Sequence, residues 1–294
     1  MSSIDFVPQY YLDINLNHFS PSQSNLPNDV WLHNYIYKDQ EWRRNGKIPN
    51  PNMTAGNSAQ DGLNKYIFDG YIPMEAQKEA VKKYRTNKML YKNKDDQMLH
   101  FETNLDAMSM CVENGIKALK ELKLEKQKEI STELYCEHQL PGIDITTIGR
   151  TDVLTSNYLI ELKTKWKRKG AIRKDGTRGF NKVAIPKKPD FNYLGQVAFY
   201  WKATGKEPHL VYHTGNFEGD YTIFNKDNCE QMTPEYFEYS LEHYRQVQTV
   251  RQNLLKISTD PKVLAQYIQP DFSSFYWNDI QGVELEEARN LWKM

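Results

Sequence analysis

The sequence predicts an α/β fold, a central mixed β-sheet flanked by helices. Three observations carry this. Residues 131–164 are rich in β-forming side chains and alternate apolar with polar positions. Two further strand-like runs, Leu210 to Tyr212 and Tyr221 to Phe224, lie beyond a helical pattern over 190–203. Long helical periodicities stand on both sides of this region, over 74–126 and 233–256.

The elements follow in order. Residues 1–52 are rich in Pro, Asn and aromatics and hold only short helical patches. Helices are expected over 57–68 and 74–126, with breaks, and Pro73 marks one boundary. Within the second, Leu105, Met108, Val112, Ile116 and Leu119 form an apolar stripe at helical spacing. Ile145 to Leu154 reads as a strand, and Ser156 and Asn157 supply a turn to the next one. In that next strand Ile160 and Leu162 share one face, while Leu159, Glu161 and Lys163 share the other. Leu194, Val197 and Trp201 give the 190–203 helix its apolar face, and Gly205 is its expected stop. Thr233 at N-cap and Pro234 at N1 open a helix running to about Lys256, and Asp260 with Pro261 opens another. No repeat or linker interrupts the chain, so a single domain over 1–294 is expected. It divides into an N-terminal segment (1–52), a core (53–225) and a helical C-terminal region (226–294).

Composition bounds the class. The chain has 294 residues, 39% apolar and 13% aromatic, enough for a sizeable core. Cys111, Cys136 and Cys229 are far apart, which speaks against a metal cluster, a structural zinc or a disulfide framework. No apolar run is long enough to span a bilayer, and residues 1–6 lack the pattern of a signal peptide, so a cytoplasmic protein is expected. The abundance of Tyr, Asn and Lys fits an AT-rich genome such as a phage's, placing the protein in the host cytoplasm. The seven histidines show no metal-ligand spacing, and no P-loop is present.

Formal net charge is zero, yet its distribution is uneven. From Lys163 to Lys188 the chain carries eleven basic residues against one acid, Asp175. Lys165, Lys167, Arg168, Lys169, Arg173, Lys174, Arg178 and Lys182 lie in a stretch made pliable by Gly170, Gly176 and Gly179. Trp166 and Phe180 are interleaved. Cations contact phosphates and rings stack on unpaired bases, so the stretch is expected to be a nucleic-acid-binding loop.

The chemistry concentrates at Gly149, Asp152, Glu161 and Lys163. A hairpin would set Asp152 beside Glu161. Two carboxylates suit Mg²⁺ or Mn²⁺, hard cations that take oxygen ligands and activate water. A lysine on the same face can orient the attacking water or balance phosphoryl charge. Gln196 and Tyr200, at i and i+4, share a helix face and could reach that strand.

Together these residues resemble the RecB-type branch of the PD-(D/E)xK nucleases, similar to phage exonucleases and the mitochondrial genome maintenance exonuclease. Gly149 and Asp152, then Glu161 to Thr164, then Gln196 and Tyr200 match in order. Ser20 to Gln23 with Trp31 to Tyr35, and Ala55 to Leu63, extend the likeness over residues 18–225. The resemblance implies a restriction-endonuclease-like sheet and metal-dependent hydrolysis of DNA. It implies Asp152, Glu161, Lys163, Gln196 and Tyr200 as catalytic residues. It implies Asp152, Glu161, Glu137, Gln60 and the main chain of Leu162 around Mg²⁺ or Mn²⁺. Glu133 is the second choice for the upstream carboxylate. Gln60 stands where many relatives place a histidine. Ser20 and Ser22 join the basic stretch as expected DNA contacts. DNA ends, single- or double-stranded, are the expected substrate, with phage replication, recombination or degradation as the setting. A single-strand annealing or replication protein is the expected partner class. An endonuclease, of structure-specific or restriction type, and a DNA-binding replication protein with a decayed site are the alternatives.

Overall fold

A computed structural model describes residues 7–39, 41–42, 49–92, 95–174, 176, 178–278, 280 and 282–293. Nine strands are described: β1 (Ser131–Thr132), β2 (Tyr135–His138), β3 (Thr147–Arg150), β4 (Val153–Leu154), β5 (Tyr158–Lys165), β6 (Arg168–Ile172), β7 (Arg178–Asn181), β8 (Glu207–Thr214) and β9 (Tyr221–Phe224). Five of them form the central sheet in the order β1–β4–β5–β8–β9. β5 runs antiparallel to β4 and parallel to β8, and β8 antiparallel to β9, so the sheet is mixed. A parallel pair needs a crossover. Here the chain between β5 and β8 carries the β6–β7 hairpin and a helix.

The described α-helices are α1 (Gln9–Leu12), α2 (Pro21–Ser24), α3 (Asn28–Trp31), α4 (Pro51–Phe68), α5 (Pro73–Arg85), α6 (Asp95–Glu121), α7 (Phe191–Thr204), α8 (Pro234–Ile257), α9 (Pro261–Leu264) and α10 (Val283–Leu291). None is long and apolar enough to cross a membrane. The expected α/β class is therefore observed, a mixed sheet with helices on both faces.

Strand alternation decides which helix packs where. Ile160, Leu162 and Val211 share a buried cluster with Leu63 of α4, Ala76 of α5 and Met108 of α6. Leu159, Leu210 and Tyr212 belong to a second cluster with Val197 of α7 and Leu241 of α8. The N-terminal segment joins this second side. Buried Arg251 of α8 donates to the carbonyls of Gln23 (2.8 Å) and Leu26 (2.6 Å), and lies 4.9 Å from the centre of the Trp31 ring. Gln248 donates to Ser24 Oγ at 2.9 Å and meets Thr147 Oγ1. These bonds fix α2 and β3 against α8.

Several expectations are corrected. Ile145 to Leu154 is not one strand: β3 pairs with β2, and the chain then crosses to β4, which pairs with β5. At the crossing Thr151 spends both its N–H and its hydroxyl on the Leu134 carbonyl, which ends the ladder. The 74–126 stretch divides into α5, a 3₁₀ turn over Thr86–Tyr91, and α6. α4 starts at Pro51 because Asn50 Oδ1 accepts from the amides of Asn52 and Met53. Thr233 precedes α8 without capping it; its hydroxyl donates back to Glu230 at 2.9 Å. The basic stretch is a loop only in part. Arg168 pairs with Asn181 and Lys169 with Phe180, forming an antiparallel hairpin. Asp175 and residue 177 lie outside the described residues.

Candidate active site

β4 pairs with β5 at Val153↔Ile160 and Leu154↔Leu159. One more step of that antiparallel register sets Asp152 opposite Glu161. There the ladder has ended, and the Asp152 carboxylate replaces it: Oδ2 accepts the Leu162 N–H at 2.7 Å. Asp152 is thereby held beside the strand that carries Glu161 and Lys163. Glu161 is 1% exposed. Its Oε1 accepts from Lys163 Nζ at 2.5 Å, and its Oε2 has no hydrogen-bond partner.

Helix α7 supplies the rest. Lys163 Nζ also donates to Gln196 Oε1 at 2.9 Å, and Gln196 Nε2 donates to the Tyr200 hydroxyl at 2.8 Å. The Tyr193 ring lies 4.6 Å from the ammonium. Tyr193 precedes Gln196 by one helical turn, and that spacing was the available signal for it. Gly149 explains why β3 and α7 can meet. A Cβ there would lie 2.6 Å from Tyr200 Cε1 and 2.7 Å from Phe199 Cε1. On the other side of the sheet, Gly56 lets α4 approach Thr164 of β5, where a Cβ would stand 3.2 Å from Oγ1.

Electrostatics follow from crowding. Burial raises the Glu161 carboxyl to about 8, and the Asp152 charge adds to this while Lys163 opposes it. Burial also raises Asp152, against the pull of Lys163 and the Leu162 N–H. For Lys163, burial disfavours the ammonium, yet Glu161 and Asp152 together outweigh it and hold the pKa above its usual value. Lys163 is thus a fixed cation and donor, not a base.

These groups lie in a cleft of about 1080 Å³. Gln60 lines it, with its Nε2 turned to Asn64 Oδ1 at 3.2 Å. Of the two upstream carboxylates, Glu133 lines the cleft. Glu137 is an exposed residue of β2, paired with Ile148 and absent from the cleft lining. Ser20, Ser22, Lys165 and Arg168 also line it. Lys167, Lys169, Arg173, Lys174, Arg178 and Lys182 do not. Lys169 and Arg178 pair instead with Asp96 of α6, at 3.6 and 3.3 Å. Sequence reasoning also missed Asp61 and Arg150, which enter the lining from α4 and the end of β3.

Among the described residues no three His, Cys, Asp or Glu side chains form a ready-made metal cage. Asp152 and Glu161 nonetheless fit a hard divalent cation. Mg²⁺ is commonly held by one or two carboxylates, with waters and substrate oxygens completing the shell. The unpartnered Glu161 Oε2 is an acceptor of the required kind.

No known protein-family model matches the chain. No curated protein matches it. Among solved structures, it is similar to a "putative exonuclease" from Eubacterium rectale, with 14% identity over 96% of this chain and 94% of that one and a TM-score of 0.48. It is also similar to the protein SSO0001, with 14% identity over 67% of this chain and 86% of that one and a TM-score of 0.28. At these scores the likenesses do not bear on function.

Proposed function

We propose that the chain is a Mg²⁺- or Mn²⁺-dependent deoxyribonuclease of the PD-(D/E)xK type, acting as an exonuclease. The observation that carries this is the bridge made by Lys163. One ammonium joins the Glu161 carboxylate to Gln196, with Asp152 alongside and Tyr200 behind.

Asp152 and Glu161 would hold the cation, with the Leu162 carbonyl and the Gln60 side-chain oxygen as further donors. When bound, such a cation supplies a more acidic water and charge neutralisation at the phosphoryl group. Lys163 holds the attacking water by hydrogen bonding and stabilises charge on the phosphoryl oxygens. Its ammonium stays protonated, so it orients the water without removing its proton. Gln196 fixes the direction of Nζ, and Tyr200 fixes the amide of Gln196. Both are positioning residues. Lys165 and Arg168 take flanking phosphates.

The test is hydrolysis of end-labelled single- and double-stranded DNA with Mn²⁺. Mononucleotide release by the wild type, abolished in Lys163→Ala, is the expected result. Equal rates for both proteins would sink the assignment. Covalently closed circular DNA separates exonuclease from endonuclease, because an exonuclease leaves it intact.

One observation favours the non-catalytic reading, in which the chain only binds DNA. Gln60 brings a neutral amide to the cleft, and that amide is already engaged by Asn64. Calorimetry with Mn²⁺ decides between the two: DNA affinity without metal binding would support the DNA-binding protein.

A further inference from the structure

Two aromatic rings stand in water on the wall of this cleft. Tyr135 of β2 is 72% exposed and Phe275 is 79% exposed, and both line the cleft. Single exposed apolar side chains are ordinary on protein surfaces. Two large rings on the wall of one cleft, beside a buried reactive centre, need a reason.

Both rings are presented by anchored backbone. Tyr135 pairs directly with Arg150 across the β2–β3 ladder. Directly opposed residues project to the same face, so an aromatic ring and a guanidinium stand side by side at the cleft mouth. Phe275 begins a 3₁₀ turn whose next residues are anchored. Tyr276 donates to the Asn25 carbonyl at 3.3 Å, and buried Trp277 donates to Asp29 Oδ2 at 2.8 Å. These bonds hold in place the turn that presents Phe275. The two rings therefore approach the cleft from distant parts of the chain.

Two cations beside them, Lys165 and Arg168, suit a phosphate backbone. Both line the cleft, with Lys163 at its floor; Lys83 and Arg150 also line it but pair with Asp61 at 3.8 Å and Glu133 at 3.6 Å. The acids of the lining are Asp61, Glu133, Asp152 and Glu161. Cations that follow a backbone, combined with free aromatic faces, are how proteins hold unpaired strands. The floor adds a geometric reason. Glu161 is 1% exposed, so the bond to be cut must descend into the cleft. An unpaired strand bends to do this readily, whereas duplex DNA is stiff, with a persistence length of about 50 nm.

We infer that Tyr135 and Phe275 are base-stacking residues that make this cleft select an unpaired DNA end. The inference deepens the nuclease reading and rests on it for the direction of the strand's path. Each ring takes the face of one base near the mouth, and the cations take the intervening phosphates. A paired end must fray before it can enter.

The test is affinity for labelled oligo(dT) and for a blunt-ended hairpin duplex, measured by anisotropy in EDTA so that nothing is cleaved. The variants are Tyr135→Leu, Phe275→Leu and the double substitution. Leucine keeps apolar bulk and removes the stacking face, and both sites are exposed, so the fold is retained; thermal melting verifies this. The double variant should lose at least about tenfold in oligo(dT) affinity, the order expected for lost base–aromatic stacking. Its duplex affinity should stay within about twofold. Tyr135→Phe should bind like the wild type, since the ring and not the hydroxyl is used. Unchanged oligo(dT) affinity in the double variant would overturn the inference, as would equal losses on both substrates. Failure here is distinct from failure of the nuclease reading, because the latter is read from wild-type hydrolysis with Mn²⁺ and the former without metal.

Discussion

The two faces of β5 and β8 bury ionisable groups in opposite ways. Toward α6, His213 is fully buried, and burial lowers its pKa to about 4. Its Nδ1 donates to the Cys111 carbonyl at 2.9 Å, which fixes the tautomer. Toward α7, Glu161 and Lys163 are kept together, with the Glu161 carboxyl raised to about 8. Each face leaves buried ring or carboxylate atoms without a hydrogen bond, among them Nε2 of His213 and Oε2 of Glu161. What separates the faces is charge. Burial has removed it from His213, whereas on the other face three ionisable groups are held against one another. Crowding of that kind costs stability and is characteristic of functional sites. The same strands thus carry a neutral polar group on one side and the proposed metal-binding cluster on the other.

The contrast breaks most sharply under substitution. Asp152→Asn should lower DNA hydrolysis about a thousandfold or more. Its melting temperature should be unchanged or higher without metal, since repulsion with Glu161 is removed while an acceptor for Leu162 N–H remains. His213→Asn should do the reverse, lowering the melting temperature and leaving kcat intact. A rate loss in His213→Asn equal to that in Asp152→Asn would erase the distinction between the faces.

Glycines give a matched pair. A Cβ at Gly149 meets Tyr200, and a Cβ at Gly62 lies 2.7 Å from the Ala76 carbonyl oxygen. Both alanine variants should lose about 1–3 kcal/mol to overpacking, measured by urea unfolding. Gly149→Ala alone should also lose kcat, because Tyr200 and the Gln196 it holds are displaced. Full activity in Gly149→Ala would show that α7 tolerates the shift.

Titration separates the faces by sign. The His213 pKa is lowered on folding, from 6.5 to about 4, so the unfolded chain binds the extra proton in that window. Stability is therefore lost as pH falls from 6.5 toward 4, by about 3 kcal/mol at most. The Glu161 pKa is raised on folding, from 4.5 to about 8, so here the folded chain binds the proton. Metal-free stability contributed by this group is lost as pH rises through 4.5 toward 8. Unfolding curves across this range should flatten at the acid side in His213→Asn and at the alkaline side in Glu161→Gln. Mg²⁺ binding should strengthen as pH rises to about 8, because the carboxyl must lose its proton first.

Much of this arrangement was legible in the sequence, and the reason is periodicity. Ile160 to Lys163 alternates apolar with charged side chains, so the faces of β5 and the placing of Asp152 beside Glu161 could be read without a structure. Gln196 and Tyr200 are one helical turn apart and so fall on one face. What escaped was set by long-range pairing. Glu137 sits in a plausible strand, but that strand pairs with β3 outside the main sheet and leaves it exposed, whereas Glu133 lines the cleft from the break before β2, at a positive φ of 52°. The Arg168–Ile172 run has no apolar rhythm and read as a loop, yet backbone pairing and the Asp96 bridges make it a strand. Phe275 had no local signal at all, because the turn that presents it is placed by Asp29, far away in the chain.

The smallest expected effect concerns Tyr200, and it tests how the α7 side is wired. Tyr200 is buried, and its hydroxyl accepts from Gln196 Nε2. Tyr200→Phe keeps the packing against Gly149 and removes only that acceptor. The loss should be about 1 kcal/mol of stability, the usual net value of one hydrogen bond. The rate should fall about five- to tenfold, because Gln196 can then turn and Lys163 loses one of its two fixed partners. Gln196→Ala should give a similar or somewhat larger loss, and the double variant should be no worse than Gln196→Ala, since both substitutions act through one path. If Tyr200→Phe loses as much as Asp152→Asn, the hydroxyl acts on the substrate directly, and the chain from Tyr200 through Gln196 to Lys163 is not how the helix serves the strand.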